Sequence, residues 1–115
     1  MFAIGVDIGG TKCAVCLGRP SENHVEIVHK CLPHATASVS PQEMVRLLAA
    51  DVRTCIALSP ERPVGIGISC GGPLDSRTGR ILPPPNLPGW DDRPIVDELQ
   101  GRTGHPASPS HDANA

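Results

Sequence analysis

The chain has 115 residues, a length that fits one domain, and a net charge of −2. That balance leaves no basic footprint for nucleic acid and no cationic stripe for a membrane surface. No apolar run approaches the roughly eighteen residues of a membrane-spanning helix.

Phe2 and Trp90 are the aromatic residues, so the expected core is aliphatic. No cationic stretch precedes an apolar segment at the N-terminus, and no signal peptide is expected. Five cysteines, an odd number, sit mostly within apolar runs. They point to reduced, buried thiols in a cytoplasmic protein rather than to a disulfide framework.

Phe2 to Asp7 is an apolar run ending in an acid, as expected of a strand buried on both faces. Gly9-Gly10-Thr11-Lys12 reads as a tight turn, with Cys13 to Leu17 returning as a second strand. Val25 to His29 follows a polar turn at Ser21-Glu22-Asn23 and completes an antiparallel meander. A helix is expected from Ser40, which forms a capping box with Glu43, with Pro41 in the first helical position. Met44, Leu48, Val52 and Ile56 recur at four-residue spacing, widened by Val45, Leu47 and Cys55, and Pro60 and Pro63 end the helix. Val64 to Ile68 is the next expected strand, and Ser69 to Pro73 a loop. Asp75 to Gly79 is a polar turn, Arg80 to Leu82 a short strand, and Pro83 to Gly89 an extended, proline-rich segment. A second helix is expected over about Pro94 to Thr103, stopped by Gly104. Three strands, a helix, a strand, a loop and a helix make an α/β domain with helices packed on a mixed sheet.

Val6 to Lys12, VDIGGTK, delivers Asp7 to a glycine turn followed by a hydroxyl and an ammonium. Glycine lets backbone N–H groups approach phosphate oxygens with no Cβ in the way. Thr11 can donate to a phosphate, Lys12 can supply charge, and Asp7 can hold a hydrated Mg²⁺. This is not a P-loop, because the GxxxxGK[ST] order is missing and a strand follows. The same letters also make an ordinary hairpin turn capped by an acid. Gly65 to Trp90 builds a backbone-rich surface on which Asn86 presents the paired donors and acceptors that match sugar hydroxyls. It reads equally as a structural loop with Trp90 plugging the core. At the C-terminus, His111-Asp112-Ala113-Asn114-Ala115 places an acid where it can serve as general base, or is simply a frayed end.

Cys13 and Cys16 form a CxxC, but residues three apart on a strand point to opposite faces, and no second CxxC follows to complete a zinc site. Gly65-x-Gly67 lacks the following helix and third glycine of a dinucleotide fingerprint. His24, His29, His34 and His105 suit surface roles.

In this order and spacing, the motifs resemble those of the ROK family (repressor, open reading frame, kinase). DIGGTK at Asp7 to Lys12 is similar to that family's first phosphate motif. GIGISCGGPLD at Gly65 to Asp75, with GRIL and PPNLPGWDDRPI behind it, is similar to its sugar-binding stretch. HDANA at the end is similar to its NDAN, whose aspartate is the catalytic base. The resemblance implies the N-terminal lobe of an actin-like, ribonuclease H-like ATPase fold and an ATP-dependent kinase of a hexose or N-acylhexosamine. Asp112 would be the base, and Asp7 would orient Mg²⁺, through water. Gly9, Gly10, Thr11 and Lys12 would contact the ATP phosphates, and Gly72, Asn86 and His111 would line the sugar pocket. Sugar and ATP are the implied partners, with neither nucleic acid nor membrane, and a homo-oligomer is possible for a longer protein.

His111 replaces the family's asparagine, and Ala107 to Ser110, with Pro109, replaces an apolar strand. Pro109 confines that piece to an edge or a loop. The expectation is a chain ending just past the base motif, short of the second lobe with its adenosine site and structural Cys/His zinc site. One alternative is therefore an inactive fragment with at most weak sugar or nucleotide binding. A sugar-sensing repressor is disfavoured because no helix-turn-helix precedes Phe2.

Overall fold

The computed structural model describes residues 1–70, 75, 77–81, 89–90 and 92–109. The meander forms as expected: β1 (Ala3–Ile8), β2 (Lys12–Pro20) and β3 (Val25–Lys30) pair antiparallel in succession. Two elements with no signal in the sequence follow. A two-residue strand, β4 (His34–Ala35), pairs with Lys12 and Cys13 of β2, and a 3-10 turn occupies Thr36–Ser38.

Helix α1 (Pro41–Leu58) starts where its signals place it. The Ser40 Oγ accepts the Glu43 N–H at 3.1 Å, but only this half of the expected capping box forms. The Glu43 carboxylate turns to Arg46 instead. Met44, Val45, Leu48, Ala49, Val52 and Cys55 are buried, while Ile56 is partly buried. Strand β5 (Ile66–Cys70) lies parallel to β1. It runs two residues later than the apolar run suggested: Val64 is exposed, and Ser69 and Cys70 belong to the strand rather than to a loop. The Asp75 turn is present, closed by Gly79 N–H to Asp75 O at 2.8 Å. Of the strand expected over Arg80 to Leu82, Ile81 forms a bridge to the Asp92 and Arg93 backbone, and Leu82 lies outside the described residues. Helix α2 (Ile95–Thr103) ends at Gly104, whose φ of 68° is the left-handed conformation that glycine adopts without strain. Strand β6 (Ala107–Pro109) pairs parallel with β5.

The sheet order is β3-β2-β1-β5-β6, with β4 also on β2. Among the described residues, proline-bearing β6 is therefore an edge strand, where a residue without an N–H is tolerated. Ile4, Val6 and Ile8 of β1, Cys13, Val15 and Leu17 of β2, and Ile66 and Ile68 of β5 are buried together with the α1 stripe. Burying each such aliphatic side chain contributes on the order of 1.5–3 kcal/mol. Trp90 is 2% exposed and belongs to the same core.

The burial expected of β1 fails. Strand β1 is not buried on both faces. Burial alternates along it, and Asp7 is exposed. Helix α1 packs on one side of the sheet, and on the other Ala3, Gly5, Asp7, Ala14, Cys16, Gly67 and Ser69 line an open groove of about 640 Å³. His105 departs from its expected surface role too. It is 2% exposed, and its Nε2–H donates to the Pro63 carbonyl at 2.6 Å. His34 is half-buried in a pair with Asp51, Nε2 to Oδ2, at 2.7 Å.

Candidate functional site

The β1–β2 turn is closed by the Gly9 N–H donating to the Lys12 carbonyl at 3.0 Å. A Cβ on Gly9 would lie 2.9 Å from that same oxygen, closer than packed atoms allow, so glycine is required here. Thr36 supports the turn from beneath. Its N–H donates to the Thr11 carbonyl at 2.9 Å and its hydroxyl to the Gly9 carbonyl at 2.7 Å. The hydroxyl's one proton is thus committed, so in the 3.3 Å contact with Cys13 the thiol is the donor. Burial pushes the Cys13 thiol up, which keeps that proton in place. Tying both carbonyls to Thr36 neutralises two partial negative charges at the turn.

Asp7 stands at the end of β1, opposite Ala14 of β2 and Ser69 of β5. The Ser69 hydroxyl donates to Asp7 Oδ1 at 3.2 Å. Asp7, Lys12 and Ser69 line one groove, and the exposed backbone of Gly10 and Thr11 lies beside them. One exposed carboxylate fits a cation that keeps most of its waters, as Mg²⁺ does, better than one held in an all-protein cage. Among the described residues no three His, Cys, Asp or Glu side chains gather as metal ligands.

Of the residues singled out in the sequence, Asp7, Gly9, Gly10, Thr11 and Lys12 come together. Gly72, Asn86, His111 and Asp112 lie outside the described residues. Ser69 and Thr36 were not anticipated. A hydroxyl at the end of a glycine-containing strand was a usable signal for Ser69; Thr36 had none. Cys13 and Cys16 point to opposite faces, Cys13 into the core and Cys16 into the groove with its sulfur beside Gly5.

Strands β1, β5 and β6 run parallel, so Ile8, Cys70 and Pro109 mark the same end of the sheet. Ligands of α/β sheets bind at the carboxyl ends of such strands. The glycine turn follows β1 at this end, and in sequence Gly71-Gly72 follows β5 and His111-Asp112 follows β6.

The family model described as "ROK family" matches residues 3–115. A glucokinase from Thermotoga maritima is 33% identical over 112 residues, covering 97% of this chain and 34% of the relative. Among solved structures, a ROK hexokinase from Thermus thermophilus superposes with a TM-score of 0.78 at 32% identity, over 99% of this chain and 36% of that one. A ROK family glucokinase from Streptomyces griseus, solved in complex with glucose and AMPPNP, gives a TM-score of 0.77 at 29% identity, over 99% and 34%. The chain spans about a third of the length of the relatives it matches.

Proposed function

The chain belongs to the ROK family and has the mixed sheet of the actin-like ATPase fold, and from that premise we propose that it is the N-terminal lobe of an ATP-dependent sugar kinase. The observation that carries this reading is the Gly9–Lys12 turn, braced by Thr36 and set beside the Asp7–Ser69 pair at the carboxyl end of parallel strands.

In this reading the turn binds the phosphates of ATP through the backbone amides of Gly10 and Thr11, the Thr11 hydroxyl and the Lys12 ammonium, while the Gly9 N–H closes the turn. Glycines permit the close approach. Asp7, oriented by Ser69, is the residue that would hold Mg²⁺ through water, and the bound ion would neutralise charge on the transferring phosphoryl group. Gly72, Asn86 and His111 line the sugar site. Asp112 takes the proton from a hydroxyl of a hexose or N-acylhexosamine, and the resulting oxygen attacks the γ-phosphorus in line. The work of these residues is positioning and charge stabilisation. We assign the protein to the cytoplasm on the same reading, and no described helix is long and apolar enough to cross a membrane.

The test is a coupled assay of ATP-dependent phosphorylation across a panel of hexoses and N-acylhexosamines. It is run on this chain and on a protein of the relatives' full length that contains it. The longer protein is expected to phosphorylate at least one of these sugars. Asp112→Asn is expected to lower turnover by about 10²–10⁴-fold, the contribution of a positioned general base, and Asp7→Asn to weaken activation by Mg²⁺. If the longer protein phosphorylates none of the panel, or Asp112→Asn keeps full turnover, the kinase mechanism is wrong. Weak binding of Mg·ATP without turnover by the 115 residues alone, seen by calorimetry, would assign catalysis to the longer protein only.

A further inference from the structure

Cys31 follows β3, and its N–H donates to the Val15 carbonyl at 3.0 Å. That pairing turns its side chain to the same sheet face as Val15, toward α1. There its sulfur lies 3.8 Å from the sulfur of Cys55, on the buried stripe of the helix. A disulfide bond is about 2.05 Å long, so its formation requires the two sulfurs to approach further. Cys31 is half-buried and within reach of solvent, whereas Cys55 is fully buried. Cys16 has its sulfur beside Gly5 on the groove side, near enough for its charge to raise both thiols further. The neighbouring polar groups are the Asp51 carbonyl, 3.9 Å from the Cys31 sulfur, and the His34–Asp51 pair. That pair ties β4 to the same helix by a bond that does not depend on redox state.

We propose that Cys31 and Cys55 form an oxidation-sensitive pair that closes into a disulfide under peroxide, locking the β3–β4 connection onto α1. Cys31 reacts first. Its thiolate attacks a peroxide oxygen, the O–O bond breaks, and Cys31 becomes a sulfenic acid as hydroxide leaves and is protonated to water. The Cys55 sulfur then attacks the Cys31 sulfur. The S–S bond forms, the S–O bond breaks, and a second water departs with the Cys55 proton. Two thiols and one hydrogen peroxide give one disulfide and two waters, with the two electrons coming from the thiols. Burial pushes both thiols up, Cys55 to about 12, so closure is slow at neutral pH and quickens as the medium becomes alkaline. The tether lies just upstream of Thr36, and oxidation therefore stiffens the segment that supports the glycine turn. The pairing itself does not depend on the kinase reading.

The test uses the full chain, reduced, freed of reductant and exposed to near-stoichiometric hydrogen peroxide at pH 8.5. Non-reducing peptide mapping is expected to show the Cys31 peptide linked to the Cys55 peptide. The melting temperature should rise by on the order of 10 °C, as for a loop of this length, and fall back on reduction. Cys31→Ser should abolish both the link and the rise while keeping the reduced protein's far-UV spectrum. The proposal is overturned if the link joins other cysteines, or if Cys31 proceeds to sulfinic acid while Cys55 stays a thiol. It is equally overturned if the linked chain melts no higher than the reduced one. The mapping is read on the unmutated chain, so it stands even if a variant folds poorly.

Discussion

Thr36 concentrates more of the site than any residue the motifs drew attention to. One side chain and one amide hold the carbonyls on either side of Gly10. Thr36→Val keeps the shape but removes the hydroxyl, leaving the Gly9 carbonyl without its donor and the Cys13 thiol without its acceptor. An unsatisfied buried polar group costs about 1–3 kcal/mol, so urea denaturation should show a loss of that size. Thr36→Ser should recover most of it. Titration calorimetry should show the same order for Mg·ATP affinity, valine weakest, because the turn loses its support. If valine and serine behave alike, the hydroxyl is not the brace. The sequence allowed Asp7 to Lys12 to be read because their chemistry is contiguous. Thr36 and Ser69 meet their partners across 27 and 62 positions of chain, and no local pattern records such a meeting.

At the scale of elements, legibility followed the range of the determining interaction. Helix α1 is fixed by its own residues: a capping serine, proline in the first turn and an apolar stripe of helical period. Ser40→Ala should therefore cost about 1 kcal/mol, the usual worth of such a cap, measured as a shift in denaturant midpoint at unchanged slope. A loss below a few tenths would mean that Pro41 and the packing of the stripe suffice to start the helix. Strands behave differently, since their ends are set by partners. Strand β5 continues through Ser69 and Cys70 because Asp7 and Ile8 of β1 are there to pair with them, although the apolar run has already stopped. Strand β4 exists because Lys12 and Cys13 extend β2 beyond the end of β3. His105, taken for a surface residue from its isolation in sequence, is buried against Pro63 by the approach of α2 and β6 to β5.

For the molecule as a whole, the mixed sheet with helices was legible from the alternation of apolar runs. The one-sided burial was not, because Gly5, Ala14 and Gly67 add to apolar runs while leaving no side chain to show which face is covered. Burial on the helix side has a consequence for stability against pH. Desolvation pushes Cys55 from 9.0 to about 12 and raises Cys13 and Cys31 as well. Between those limits the unfolded chain gives up thiol protons that the folded chain retains. The unfolded state then binds fewer protons, and by linkage the stability falls as pH rises. The contribution is fully present below pH 9 and is lost progressively toward pH 12. Urea midpoints taken in reductant from pH 7 to 10.5 should decline over the upper part of that range. Cys55→Ala removes the most strongly shifted thiol, so its midpoint should start lower, from the cavity left in the core, yet decline less steeply. Parallel slopes for the two proteins would assign the alkaline loss to other groups, and the buried thiols would then carry no share of it.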